Sequence, residues 1–198
     1  MEALAAWLRQ KAGSRVLLRT PARGETRRLC DMARENAGQR AAEYARSLEK
    51  DEKALVRLAA LCGLETVPER IEAFDISNFG DENITAGMVV YENGKPKKSD
   101  YRLFHIKSVS GRDDYASMRE AVSRRIAHLG DKDAVHPDLL LIDGGEAHRS
   151  AAAEVLAAAG EEIPVFGMVK DEYHKTRALV GKDGEISIAA ERSVYTLI

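Results

Sequence analysis

The stretch Pro137-Asp138-Leu139-Leu140-Leu141-Ile142-Asp143-Gly144-Gly145 decides the fold. Four consecutive apolar residues between a proline and a glycine pair read as a short strand buried on both faces, the pattern of a strand inside a helix-covered sheet. Asp143 then stands at the carboxyl end of that strand, where α/β proteins commonly build their sites. Working outward, residues 146–159 carry helical spacing and residues 165–169 are again strand-like, so a helical crossover joins the two strands. Upstream lie three β-rich segments, residues 71–77, 84–91 and 101–109. Glu92-Asn93-Gly94-Lys95 forms a hairpin turn between the last two, because Asn-Gly tolerates positive φ. Ser110 with Asp113 reads as a capping box that opens a helix to about residue 129, with Met118, Val122, Ile126 and Leu129 on one face. A hairpin around Lys182-Asp183-Gly184 follows, and the last residues start another helix. The expected class is α/β: an antiparallel three-strand meander continued by parallel strands, flanked by helices.

The front of the chain reads differently. Residues 1–12 form a short helix ended by Gly13, residues 16–18 a short strand-like run, and residues 25–61 one long helix or two joined near Lys50. Gly63 and Pro68 close it. This gives a mainly helical lead-in segment over residues 1–68 and a mixed α/β core over residues 69–198.

Composition sets the outer bounds. With 198 residues and 44% hydrophobic content the chain can fill one substantial core. No apolar run approaches the roughly 18 to 20 residues of a bilayer span, and Glu2, Arg9 and Lys11 interrupt any signal-like start, so no membrane partner and a cytoplasmic location are expected. Cys30 and Cys62 both fall inside helical apolar patterns and read as reduced core thiols. The net charge of −2 argues against a strongly basic nucleic-acid binder, but the charge is uneven: residues 1–50 hold eleven Lys and Arg against six Asp and Glu, and the acidic excess lies in the core. That arrangement suits a cation site next to a surface that meets phosphate.

Two carboxylates carry the chemistry. Asp75 sits in the first core strand, in period with Ile71 and Ala73, where an unpaired carboxylate costs several kcal/mol and therefore needs a metal, a cation or a tight hydrogen-bond partner. Asp143 ends the buried later strand. Acids on two core strands are raw material for a hard divalent cation such as Mg²⁺ or Mn²⁺, which neutralises charge and activates water in phosphodiester hydrolysis. Taken singly, Asp143 could equally be a turn or cap residue, and Asp75 less readily so. Together, and in this order of strands, they match the RNase H-like plan, in which the first strand and a later parallel strand bring their acids together.

The runs Arg70-Ile71-Glu72-Ala73-Phe74-Asp75-Ile76-Ser77, Asp113-Asp114-Tyr115-Ala116-Ser117-Met118-Arg119-Glu120, Pro137 to Gly145, and Val169-Lys170-Asp171 with His174-Lys175-Thr176-Arg177 resemble, in order and spacing, successive signatures of the UvrC excinuclease family. The resemblance covers nearly the whole chain. It implies an RNase H-like DNA endonuclease domain that makes the incision 5′ to a lesion in bacterial nucleotide excision repair, acting on damaged double-stranded DNA with a UvrB-type helicase-like subunit. It further implies that Asp75 and Asp143 are the catalytic, metal-holding acids and Asp114 a third acidic position, although Asp113 and Asp114 read from sequence equally well as helix-start residues. The family's histidine, in a helix just beyond residue 198, has no match, which implies a fragment with an incomplete site. Glu146 stands where the family usually has lysine.

Arg23, Arg27 and Arg28 form the densest basic patch of the front segment, and His174, Lys175 and Arg177 a second cluster; both are candidates for phosphate contact, against the alternative of solvated charge. His148, on the helix after Asp143, could approach the metal or DNA or simply face solvent. Two other functional readings stay open: a catalytically inactive RNase H-like module that binds DNA or a partner, and a nuclease for RNA–DNA hybrids.

Overall fold

The computed structural model describes residues 2–79, 83–109, 111, 113–173 and 175–197. They form two compact units, Met1–Ser47 and Leu48–Ile198. The first holds α1 (Glu2–Ala12) and the leading part of α2 (Glu25–Cys62). Residues 16–18 are irregular rather than a strand, since three apolar residues find no partner strand among the described residues of this unit. Leu29, Met32 and Tyr44 are exposed. So is Cys30, which corrects its placement in a core: helical periodicity marks a stripe but does not say what covers it.

In the second unit the described residues form one sheet of eight strands: β1 (Arg70–Phe79), β2 (Asn83–Glu92), β3 (Lys95–Pro96), β4 (Arg102–His105), β5 (Leu139–Asp143), β6 (Val165–Lys170), β7 (Thr176–Gly181) and β8 (Gly184–Ser187). Their order is β3-β2-β1-β5-β6-β7-β8, with β4 also on β2. β1 runs antiparallel to β2 but parallel to β5, and β5 is parallel to β6, so the meander and the crossover strands meet at β1. Asn93 and Gly94 both have positive φ, 52° and 74°, as the two-residue hairpin turn requires. The expected third strand over 101–109 is shorter: the ladder stops at His105, and the following backbone is held instead by Glu120, whose carboxylate accepts from the amides of Lys107 and Ser108 and from the Ser108 hydroxyl at 2.6–3.1 Å.

Each face of the sheet has its own cover. Phe74, Met88, Val90, Leu140 and Ile142 pack under α3 (Asp114–Ile126) and α4 (Glu146–Ala159), meeting Met118, Ala121, Val122, Ala152 and Leu156. Ile71, Leu139, Leu141, Phe166 and Leu179 pack on the opposite face with Ala54, Leu55 and Leu58 of α2 and with Val194 and Leu197 of α5 (Arg192–Leu197). Asp113 caps α3, its carboxylate accepting from the Ala116 amide at 2.9 Å. Ser110, expected to open the capping box, lies outside the described residues.

A buried charge cluster lies near the start of β1. Glu72 is fully buried and accepts from Arg70 Nε at 2.9 Å and from Arg125 Nε and an Arg125 terminal nitrogen, both at 2.8 Å. Arg70 also donates to Asp100 at 2.7 Å. A carboxylate away from water is tolerated because both oxygens are paired with guanidinium N–H groups.

Candidate active site

Strand pairing brings the two aspartates together. Phe74 is the register partner of Ile142 in the parallel β1–β5 pair, so the next residues, Asp75 and Asp143, lie side by side. Phe74 and Ile142 point into the α3–α4 core, and period 2 therefore sends Asp75 and Asp143 to the opposite face together. Their carboxyl groups are within hydrogen-bonding reach of one another. On its other side Asp75 pairs in register with Gly87 of β2. A Cβ on Gly87 would meet nothing within 4 Å, so the space beside the carboxylate is open.

Asp75 is exposed, not buried within the strand as its apolar neighbours suggest, because β1 outruns its cover at this end. Partial burial of its carboxyl group, with the Asp143 carboxylate beside it, pushes its pKa above the usual aspartate range. The Ser77 hydroxyl, 3.3 Å from Asp75 Oδ2, and the Lys170 ammonium pull the other way. Lys170, at the end of β6, donates a short hydrogen bond to Asp143 Oδ2. It comes from the same face because Met168, two residues before it, is the register partner of Asp143. Lys170 is the site residue that the sequence motifs contain but do not single out; its alternation with Phe166 and Met168 was the available signal.

The donor set is hard: two carboxylates and a hydroxyl on rigid strand ends, with open space in front. Among the described residues no group of three or more His, Cys, Asp or Glu side chains converges. Oxygen donors of this kind are ones that a hard divalent ion could use.

The other candidates lie on other elements. Asp114 opens α3 as its first helical residue, half-buried. Arg23, Arg27 and Arg28 lie in the first unit, where Arg27 is engaged with Asp31 at 2.9 Å. Arg177 pairs with Glu185 across β7–β8. Lys175 sits in the β6–β7 connection, its amide held by Asp171 at 2.9 Å, and His174 falls outside the described residues. His148 lies against the β5 exit: a Cβ placed on Gly144 would come within 2.5 Å of its Nδ1. Glu146 is occupied by Arg149 and Ser150. No described helix is long and apolar enough to cross a membrane.

The family model "UvrC RNAse H endonuclease domain" matches residues 59–197, and a second, "UvrC Ribonuclease H-like domain", matches residues 1–44. UvrABC system protein C of Caldanaerobacter subterraneus is 43% identical over 97% of this chain, and that of Clostridium novyi 39% identical over all of it. The chain spans 34% and 35% of the length of these two relatives. Among solved structures, a Ciona intestinalis endonuclease V bound to inosine-containing DNA shares 16% identity at a TM-score of 0.43, covering 67% of this chain and 58% of that one. An A. aeolicus Argonaute shares 12% at 0.38, covering 63% and 20%. The sequence relatives, matched across both units and through the strands that carry Asp75, Asp143 and Lys170, show that this chain belongs to the UvrC RNase H endonuclease domain family.

Proposed function

We propose that this domain hydrolyses a phosphodiester bond of damaged double-stranded DNA, making the incision 5′ to the lesion in a UvrABC-type repair system in the cytoplasm. The single observation that carries the reading is the pair of carboxylates, Asp75 and Asp143, projecting together from adjacent parallel strands into open space. They would hold Mg²⁺ or Mn²⁺, which when bound supplies charge neutralisation at the phosphate and an activated water. Asp75 and Asp143 orient that chemistry from rigid strand ends, and Lys170 keeps the pair from being a bare double negative charge. Asp114 is the third acidic residue of the proposal, with Arg23, Arg27, Arg28, His174, Lys175 and Arg177 as phosphate contacts. Damage recognition and loading fall to a UvrB-type helicase-like subunit acting through the full-length protein.

The test is incision of a lesion-bearing duplex by the full-length protein with its partner subunits, mapped to the nucleotide. Asp75→Asn and Asp143→Asn are each expected to abolish the 5′ cut while leaving DNA binding intact. Undiminished incision by both variants would overturn the proposal. One observation favours a second reading, an inactive binding module: Lys170 already satisfies Asp143. Under that reading Mn²⁺ does not bind, and both variants behave as wild type in DNA binding with and without the ion.

A further inference from the structure

On the helical side of the β5 exit, one residue past Asp143, two rings have no part in the chemistry above. Tyr115, in the first turn of α3, lies with its ring centroid 4.7 Å from that of His148 on α4, the planes tilted by 51°. His148 is half-buried and wedged against Gly144, the residue after Asp143. That approach needs glycine: φ at residue 144 is +140°, and a Cβ there would collide with the imidazole at 2.5 Å. Gly167 performs the same service from β6, since a Cβ on it would come within 2.5 Å of the Gly144 carbonyl oxygen. Two glycines thus let the strand exit lie flat on its neighbour and let a histidine sit close above it. The histidine in turn supports a tyrosine that remains 44% exposed.

An exposed ring braced from below, by a histidine that rests on the residue after a candidate catalytic acid, is built to receive something flat. Its surroundings select which flat group. Asp113 and Asp114 immediately precede it and offset the positive end of α3, so the spot suits an uncharged ring better than a second anion. We infer that Tyr115, supported by His148, is a stacking platform for a nucleobase next to the scissile phosphate, positioning the strand across Asp75 and Asp143. Stacking is indifferent to base identity, since every base presents a π-face, and suits an enzyme that must act in any sequence. The inference rests on the DNA-endonuclease reading.

The experiment uses the full-length protein with its partner subunits and a lesion-bearing duplex carrying 2-aminopurine in turn at each position flanking the expected 5′ cut. Ca²⁺ replaces Mg²⁺ for binding, and Mg²⁺ is used for incision. At one flanking position, wild type and Tyr115→Phe are expected to quench the probe equally, and Tyr115→Leu to lose the quenching. Incision by the leucine variant falls on the order of ten-fold, the size of one lost base–aromatic contact, with the phenylalanine variant near wild type. A role confined to packing would not distinguish phenylalanine from leucine in probe fluorescence. If the leucine variant does not fold, His148→Ala serves instead, with the expectation of partial loss of quenching at the same position. Unchanged quenching and incision in Tyr115→Leu, or in His148→Ala in its place, would overturn the platform and leave the nuclease reading standing. Failure of the wild type to cut or bind DNA overturns both.

Discussion

Replacing Lys170 by methionine removes the ammonium that shares Asp143 with any incoming cation while keeping most of the side chain's length. In the structure this ion pair is uneven: the lysine side chain is 41% exposed and the Asp143 side chain 18%. Exposed pairs contribute about 0.2–1 kcal/mol, and a charge-assisted hydrogen bond to a mostly covered carboxylate somewhat more, so about 1 kcal/mol must be surrendered before a cation can use that oxygen. Deleting the competitor returns that amount, which at about 1.4 kcal/mol per decade is roughly a five-fold tightening of Mn²⁺ or Ca²⁺ binding. Protons then take over as the competitor. Asp75 already has a raised pKa from burial and from Asp143, and the loss of Lys170 raises it further, so the gain should be full near neutrality and shrink in mild acid. Calorimetric titration of wild type and Lys170→Met with both ions, near neutrality and in mild acid, measures this directly. Weaker binding by the variant near neutrality would refute the reasoning, because it would make Lys170 a helper of the ion rather than its rival.

Asp75→Asn should stabilise the ion-free protein near neutrality, seen as a higher Tm. A raised folded-state pKa contributes stability in acid that is lost as pH rises through the folded value, so the ionised group is a cost that asparagine removes; equal Tm values in neutral buffer would count against the crowded-carboxylate picture. Glu72→Ala should cost about 3–5 kcal/mol in denaturant unfolding, since it leaves Arg70 and Arg125 without their buried partner, and a loss below about 1 kcal/mol would mean that water reaches the cluster. Maleimide should label Cys30 rapidly and Cys62 hardly at all in the native protein, because Cys30 is exposed whereas burial pushes the Cys62 thiol pKa up to about 12; fast labelling of both, read by mass spectrometry of peptides, would contradict that packing.

Much of the sheet was legible because its signals are local. The Asn93-Gly94 turn, the β-rich run through residues 84–91 and the apolar run before Asp143 each need only a few neighbouring residues to be understood. The sequence paired Asp75 and Asp143 through the order of strands; the register adds that both stand at a fixed count from apolar residues whose face is set by the core. What escaped depends on partners far along the chain. Residues 16–18 have strand-like side chains but, among the described residues, no strand to join. The 101–109 segment leaves its ladder at His105 because Glu120, on a helix, captures the next amides. Glu72 shares the inward face of Phe74, and its partner, Arg125, lies 53 residues away. Lys170 reaches Asp143 across 27 residues by a flexible four-carbon stem, a contact that spacing suggests only after the strand order is known.

The Glu72 cluster has a consequence for heredity as well as for stability. Glu72 stands three positions before Asp75 on the same strand, so the bonds from Arg125 to Glu72 and from Arg70 to Asp100 also fix how far β1 can slide lengthwise against its neighbours. A slip of one residue would carry Asp75 to the wrong side. Loss of Arg125 leaves one oxygen of the buried Glu72 carboxylate without a partner, and loss of Arg70 removes one of the two donors to the other. Across related genes positions 70, 72 and 125 should therefore drift as a set or not at all, with an all-apolar trio as the main permitted replacement.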